Sequence, residues 1–373
     1  MGGKRSLACG RGIGLNGPQT LGNSAFFWVV WAIGLALMIA LPLLASRYQI
    51  INASNILISS ILAMSLCLIW GYGGILSLGQ ASFYCIGGYA YGIAGINLIQ
   101  SSGNTELAIL AGIIVPVGFA AVLGAMMFYS RLQGVYVAIL TLVVSLLLGL
   151  FMRQTADPFY AIGKAAFGGM NGLKPAGAGD PGVPPLTFRF AEYSWVFDGR
   201  GIGFYWLTLA IVVLVYLGLR WLVNSSFGYK LIACREDLDR TETMGYDIRL
   251  IQLTVFCLSA AIAGLSGALY TAWGAYIHPD GFSVAPNILV VIWVVVGGRK
   301  DLTSVVISTM LLSWIALELA PYGEVSLLIQ GLILVVAMLI APDGIVAQFG
   351  AFIGRMIARK PRIAPNSWKE KIA

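Results

Sequence analysis

SSFGYKLIACREDLDRTETMGYDIR, residues 225–249, is the one dense block of charge in this chain, and it stands between two long apolar runs. At helical spacing Leu231, Cys234, Leu238 and Met244 fall near one face, while Lys230, Arg235, Glu236, Asp239, Arg240 and Glu242 take up the rest. Ser225 or Ser226 suits the start of such a helix, and Gly245 suits a left-handed stop. An amphipathic helix between membrane spans lies along the bilayer surface or docks into a groove on a soluble partner. A solvated connector is the plainer reading of the same composition.

Working outward, the surroundings of this island are those of a membrane. The chain is 58% hydrophobic and only 10% charged, with mean hydropathy +0.85, whereas soluble domains carry about 25% charge. Runs near the length that spans a bilayer, about 20 residues, occur at 26–45, 50–70, 81–99, 107–129, 133–151, 204–223, 251–274, 286–297, 303–320 and 324–341, the eighth being short. The expected fold is therefore an all-α polytopic membrane protein of about ten transmembrane helices. An even number puts both ends on one side, and the basic residues of 1–25 (Lys4, Arg5, Arg11) and of 342–373 (Arg355, Arg359, Lys360, Arg362, Lys369, Lys371) make that side cytoplasmic. The same alternation puts 224–250 inside and the long loop 152–203 outside. The net charge of +7 then reports basic segments at a membrane face, with no nucleic-acid partner required. No cleavable leader is evident: Cys9 has no apolar core before it, and the match of Gly2 to Ser6 to an acylation pattern is weak.

Between the second and third spans lies Gly71-Tyr-Gly-Gly-Ile-Leu-Ser-Leu-Gly-Gln80, too rich in glycine for a helix interior and too apolar for an ordinary loop. It reads as a broken or re-entrant helix. Freed backbone groups at membrane depth survive only inside protein or against a watery cavity, so Gly73, Gly74, Ser77, Gly79 and Gln80 are candidates to line a translocation path. Close packing of helices through small residues, continued by Ser82, Gly87 and Gly88, is the competing reading. In the outer loop the densest signal is Phe167-Gly-Gly-Met-Asn-Gly-Leu173, where Gly169 and Asn171 suit either contact with a small polar solute or a turn. Gly and Pro punctuate that loop so often that it is expected to be irregular.

Enzyme chemistry finds little support. Leu76-Ser-Leu-Gly-Gln80 is near an ATPase signature, but no phosphate-cradling loop accompanies it, since Gly163-Lys164 is followed by Ala165. His278 has no nucleophile beside it in sequence. The five cysteines (Cys9, Cys67, Cys85, Cys234, Cys257) lack metal-ligand spacing, so neither a disulfide framework nor a metal site is expected. Glu318 is the strongest intramembrane acid, placed near the end of its span, where simple exposure competes with function.

Five stretches in order, Gly71 to Tyr89, Gly168 to Leu173, Ser226 to Asp237 with Met244-Gly-Tyr-Asp247, Ser259-Ala-Ala-Ile-Ala-Gly-Leu-Ser-Gly-Ala-Leu-Tyr270, and Val295-Val-Gly-Gly298, together resemble the permease subunit of branched-chain amino-acid ABC importers across about 50–345. The resemblance implies a bacterial inner-membrane importer with a second permease subunit, two cytoplasmic ATP-binding subunits and a periplasmic substrate-binding protein. ATP would be held by the partner, this chain binding no cofactor. It implies that Phe227, Gly228, Arg235, Glu236 and Gly245 belong to the segment that couples to the ATPase. The chain departs from the family pattern at Arg299-Lys300-Asp301-Leu302-Thr303-Ser304 and at Gln252, and Val291 to Arg299 also resembles the urea and short-amide branch. Hydrophobic amino acids come first as substrate, urea or amides second. A stand-alone secondary carrier, driven by an ion gradient, is the rival class.

Overall fold

A computed structural model describes residues 15, 25–157, 159–175, 182–190, 193–323 and, beyond these, 328, 329, 331, 332 and 335. The expected segments 1–25, 324–341 and 342–373 therefore lie wholly or largely outside the described residues. Eleven α-helices run through the rest: α1 Ala25–Leu44, α2 Arg47–Leu66, α3 Gln80–Ser102, α4 Glu106–Tyr129, α5 Val135–Gln154, α6 Ile202–Val223, α7 Ser226–Glu236, α8 Leu238–Thr243, α9 Ile248–Gly274, α10 Val284–Gly297 and α11 Leu302–Leu319. Among the described residues seven helical spans are long and apolar enough to cross a membrane: α1, α2 with the π-helical turn that extends it to Tyr72, α4, α5, α6, α9 and α11. The chain is thus an all-α polytopic membrane protein. α10 is apolar but shorter, and α3 has 23 residues with more glycine, tyrosine and polar side chains.

The helix starts are built by side chains at the ends of apolar runs. Ser46 and Gln49 open α2 by exchanging bonds with each other's backbone N–H. Asp247 accepts from the N–H of Arg249 and Leu250 to open α9, and Asp301 accepts from Ser304 to open α11. Packing then sorts the helices. Of the apolar window in α2, 72% is buried, against none in α1, so α2 is central and α1 peripheral. α9 packs along α3, α4 and α2, meeting α3 through small residues, Gly87 and Gly88 against Gly264 and Gly267.

Contacts between connections sort the helix ends into two groups. At one end the α4–α5 turn reaches the α7–α8 segment, Arg131 pairing with Glu242 at 3.1 Å, and the end of α2 abuts Arg299 between α10 and α11. At the other end Arg153, in the last turn of α5, pairs with Asp280, after α9, at 2.7 Å, and Leu173 pairs with Ile277 backbone to backbone.

The long connection before α6 departs from expectation. It is not irregular throughout: β1 Ala161–Ile162 pairs antiparallel with β2 Ala165–Ala166, and β3 Leu186–Phe190 with β4 Tyr193–Phe197. The second hairpin follows from an alternation visible in sequence, Leu186, Phe188, Phe190 and then Tyr193, Trp195, Phe197, a period of two that the glycines and prolines around it had masked.

Candidate functional site

The interruption between α2 and α3 begins where the α-helix widens into the π turn Cys67–Tyr72. The N–H groups of Gly73, Gly74 and Ile75 bond back to Leu68, Trp70 and Ile69, after which the chain is non-helical to Gly79. Gly74 carries the turn at φ +73°, a conformation that side chains disfavour. Gly79 sits against the backbone of α5, so close that a Cβ there would stand 2.3 Å from the Thr141 carbonyl oxygen.

Buried polar side chains from four helices meet this segment. Thr141 Oγ1 accepts from the Leu78 N–H at 3.1 Å, and Asn287 Oδ1 accepts from the Ala81 N–H at 2.9 Å. Gln80 Nε2 donates to Ser65 Oγ and to Ser259 Oγ, each at 2.8 Å, which joins α2, α3 and α9. Asn287 Nδ2 continues the network to Ser145 Oγ at 3.0 Å. Ser77 Oγ, Gln80 Oε1 and Ser82 Oγ are buried and make no hydrogen bond among the described residues. The sequence marks Ser77 and Gln80 as candidates and Ser259 only as part of a resembling stretch, whereas Ser65, Thr141 and Asn287 stand out in it only as polar residues inside apolar runs.

The charged island is two helices rather than the single one expected. Asp237 breaks it, its backbone extended at φ −158° and ψ 108°, and its carboxylate accepts from the Arg240 N–H at 3.0 Å to start α8. Aspartate competes with helix backbone in an interior and favours a cap, so Asp237 was readable as a second start. Ser225 stands at the start of α7 without capping it, since its hydroxyl donates back to Leu222 O. Gly228 and the face of Leu231 and Cys234 are buried, Phe227 and Leu238 are half-buried, and Met244, beyond the break, is exposed and outside the apolar stripe. Gly245 ends the unit at φ +87°. Burial pushes the Cys234 thiol up from its ordinary pKa.

Arg235 and Glu236, adjacent in sequence, face different ways. The Arg235 side chain is 19% exposed and that of Glu236 67%. Arg235 Nη1 donates to Gly71 O at 2.7 Å, and its Nε donates to Glu236 Oε1 at 3.1 Å. The Arg235 guanidinium, by hydrogen bonding and charge, holds the Glu236 carboxyl below its ordinary pKa. Gly73, Gly74, Arg235 and Glu236 share a cleft of about 330 Å³ with Gln133 and Gly134 of the α4–α5 turn and Gln252 of α9.

Gly169 and Asn171 are not part of this assembly. They adjoin the segment that follows α9, whereas Arg235 lies just before α9 begins, and 27 residues of helix separate those points by about 40 Å. Gly169 is buried against Ala156, and Asn171 is exposed, its N–H bonded to Gly168 O in a tight turn. His278 packs edge-on against Tyr276. Glu318 lines a mainly apolar groove of about 720 Å³ with residues of α1 and α2.

Residues 49–340 match the family described as the permease component of the branched-chain amino acid transport system. The chain is 29% identical, over 83% of its length and 73% of the relative's, to the high-affinity branched-chain amino acid transport system permease protein LivM of Escherichia coli (strain K12). It is 27% identical, over 60% of its length and 67% of the relative's, to a probable branched-chain amino acid transport permease protein LivM of Methanocaldococcus jannaschii. A probable permease protein LivH of the same archaeon is 28% identical over 44% of the chain and 54% of that protein. No solved structure matches.

Proposed function

This chain belongs to the branched-chain amino acid transport permease family, and from that premise we propose that it is the membrane-spanning subunit of an ATP-driven importer of branched-chain or other hydrophobic amino acids. It works beside a second permease, two cytoplasmic ATP-binding subunits and a periplasmic binding protein that delivers the substrate. It contributes half of an alternating-access path and no bond-making chemistry. The segment Phe227 to Gly245, with Gly228, Arg235 and Glu236, takes up the movement of the ATP-binding subunits. The interrupted stretch with Gly73, Gly74, Ser77, Gly79 and Gln80 reorients in response, and Gly169 and Asn171 belong to the outer mouth.

The observation that carries this reading is the meeting of the interrupted stretch and the charged α7–α8 unit around one cleft, at one end of the molecule. A solvated connector would not need a buried apolar face, and α7 has one in Gly228, Leu231 and Cys234. A bilayer-inserted helix supplies the rest of the support, since interrupted backbone is tolerated at depth where protein encloses it. That the relatives are branched-chain amino acid permeases favours branched-chain amino acids over urea or amides.

Both termini are assigned to the cytoplasm and 152–203 to the periplasm. Reporter fusions at residues 10 and 365 give cytoplasmic signals and one at 180 a periplasmic signal on this reading; a periplasmic fusion at 365 refutes it. The functional test is uptake of radiolabelled leucine in cells carrying the intact operon. Uptake stops when ATP is depleted and persists when the proton and sodium gradients are collapsed with ATP maintained. The reverse pattern identifies an ion-coupled carrier.

A further inference from the structure

We propose that Arg235 is a positioning residue that holds the interrupted end of α2 to the docking helix α7, rather than a contact for the ATP-binding partner. The inference rests on the reading above that α7–α8 receives that partner. Four observations carry it. First, Arg235 Nη1 donates to Gly71 O at 2.7 Å, and Gly71 lies in the π turn that ends α2. The last carbonyls of a helix lack intrahelical donors and form the negative end of its dipole, so a guanidinium there is well matched in both hydrogen bonding and charge. Second, the stem of Arg235 covers Gly74, where a Cβ would stand 2.7 Å from Arg235 Cγ. The glycine at φ +73° and the arginine above it fit as a pair.

Third, Leu231, one turn before Arg235 on α7, is buried against Gly73, where a Cβ would stand 3.4 Å from its Cδ1. Residues four apart share a helix face, so one face of α7 grips both glycines of the turn. Fourth, the exposed Glu236 carboxylate accepts from Arg235 Nε. A partner that engages Glu236 thereby pulls on the guanidinium, and through Gly71 on α2, the most enclosed of the spans. Ser65, two turns back along α2, passes the movement to Gln80 at the start of α3.

The test has two arms. In the full-length permease alone, in nanodiscs, hydrogen exchange at the Gly73, Gly74 and Ile75 amides quickens about tenfold in Arg235→Gln, the effect of losing one charge-assisted hydrogen bond, and Arg235→Lys restores part of the protection. In the assembled importer, Arg235→Gln keeps the ATP-binding subunit at wild-type stoichiometry but loses most of the hydrolysis stimulated by leucine-loaded binding protein. If Arg235→Gln misfolds, Arg235→Lys, which keeps the charge but not the guanidinium, gives the same pair of results in weaker form. Unchanged exchange overturns the link. Loss of the ATP-binding subunit from the purified complex overturns it too, by making Arg235 a docking contact. Quickened exchange with full stimulation leaves the hydrogen bond but removes its role in coupling. If the wild-type complex shows no stimulation at all, the importer reading fails instead, and the exchange result still judges the link.

Discussion

The two ends of this molecule are held together by different means. At the end with the hairpins, backbone pairs carry much of the linkage: Leu173 and Ile277 exchange bonds of 3.0 and 3.1 Å and the N–H of Thr105 donates to Thr187 O at 2.9 Å, to which side chains add, Thr105 Oγ1 accepting from the N–H of Thr187 at 2.8 Å and Arg153 pairing with Asp280. At the end with α7–α8, the interrupted stretch is held by side chains: Arg235 on Gly71, Thr141 on Leu78, Asn287 on Ala81 and Gln80 on Ser65 and Ser259. Backbone ladders fix a frame independently of side-chain identity. Side-chain ties have alternatives within reach, and a bistable element needs such alternatives. On the proposed function the hairpin end is the frame and the α7–α8 end the moving part.

Substitutions test that contrast to different degrees. The largest effect is expected from Gly79→Leu, because its first carbon already meets the Thr141 carbonyl; overpacking costs about 1–3 kcal/mol, and both leucine uptake and folded yield should fall. Retained uptake at normal yield would detach the interrupted stretch from transport. Glu236→Lys reverses an exposed charge beside Arg235 and is expected to abolish stimulated ATP hydrolysis while the permease inserts normally, measured in the reconstituted complex. Full stimulation would make Glu236 part of a solvated face.

Gln80→Ala removes the donor shared by Ser65 and Ser259. Leaving their buried oxygens without that donor costs on the order of 1–3 kcal/mol, seen as a lower melting temperature in detergent; an unchanged melting temperature would mean that the network carries no stability. The smallest effects belong to the frame. Arg153→Ala deletes an exposed ion pair with Asp280, and such pairs contribute about 0–1 kcal/mol, so uptake and stability should stay near wild type. A large loss would move function to the hairpin end.

Sequence alone carried the architecture far and the contacts hardly at all. The apolar helices were legible because a bilayer demands long apolar runs, and the expected starts fall within a few residues of α1 to α6 and α9 to α11, of which all but α3 and α10 are long and apolar enough to span. The break at Gly73 and Gly74 was legible because glycine clusters do not continue helices. What hid the second hairpin was its setting among prolines and glycines, although its alternation was present in Leu186 to Phe197. What hid the split at Asp237 was the continuous charge pattern around it. The partners of Gln80 could not be read, since Ser65, Gln80 and Ser259 are brought together only by the packing of three helices. Arg235 was singled out for its charge, but its direction depends on the carbonyl of Gly71, 164 residues away.

The claim that the α7–α8 end is where ATP-driven motion enters can be tested with a photoreactive amino acid placed in turn at position 236 and at position 171 in cells making the whole importer. The account predicts an adduct with the ATP-binding subunit from position 236 and none from position 171. An ATP-binding adduct from position 171, or none from 236 in a complex that still transports leucine, would contradict it.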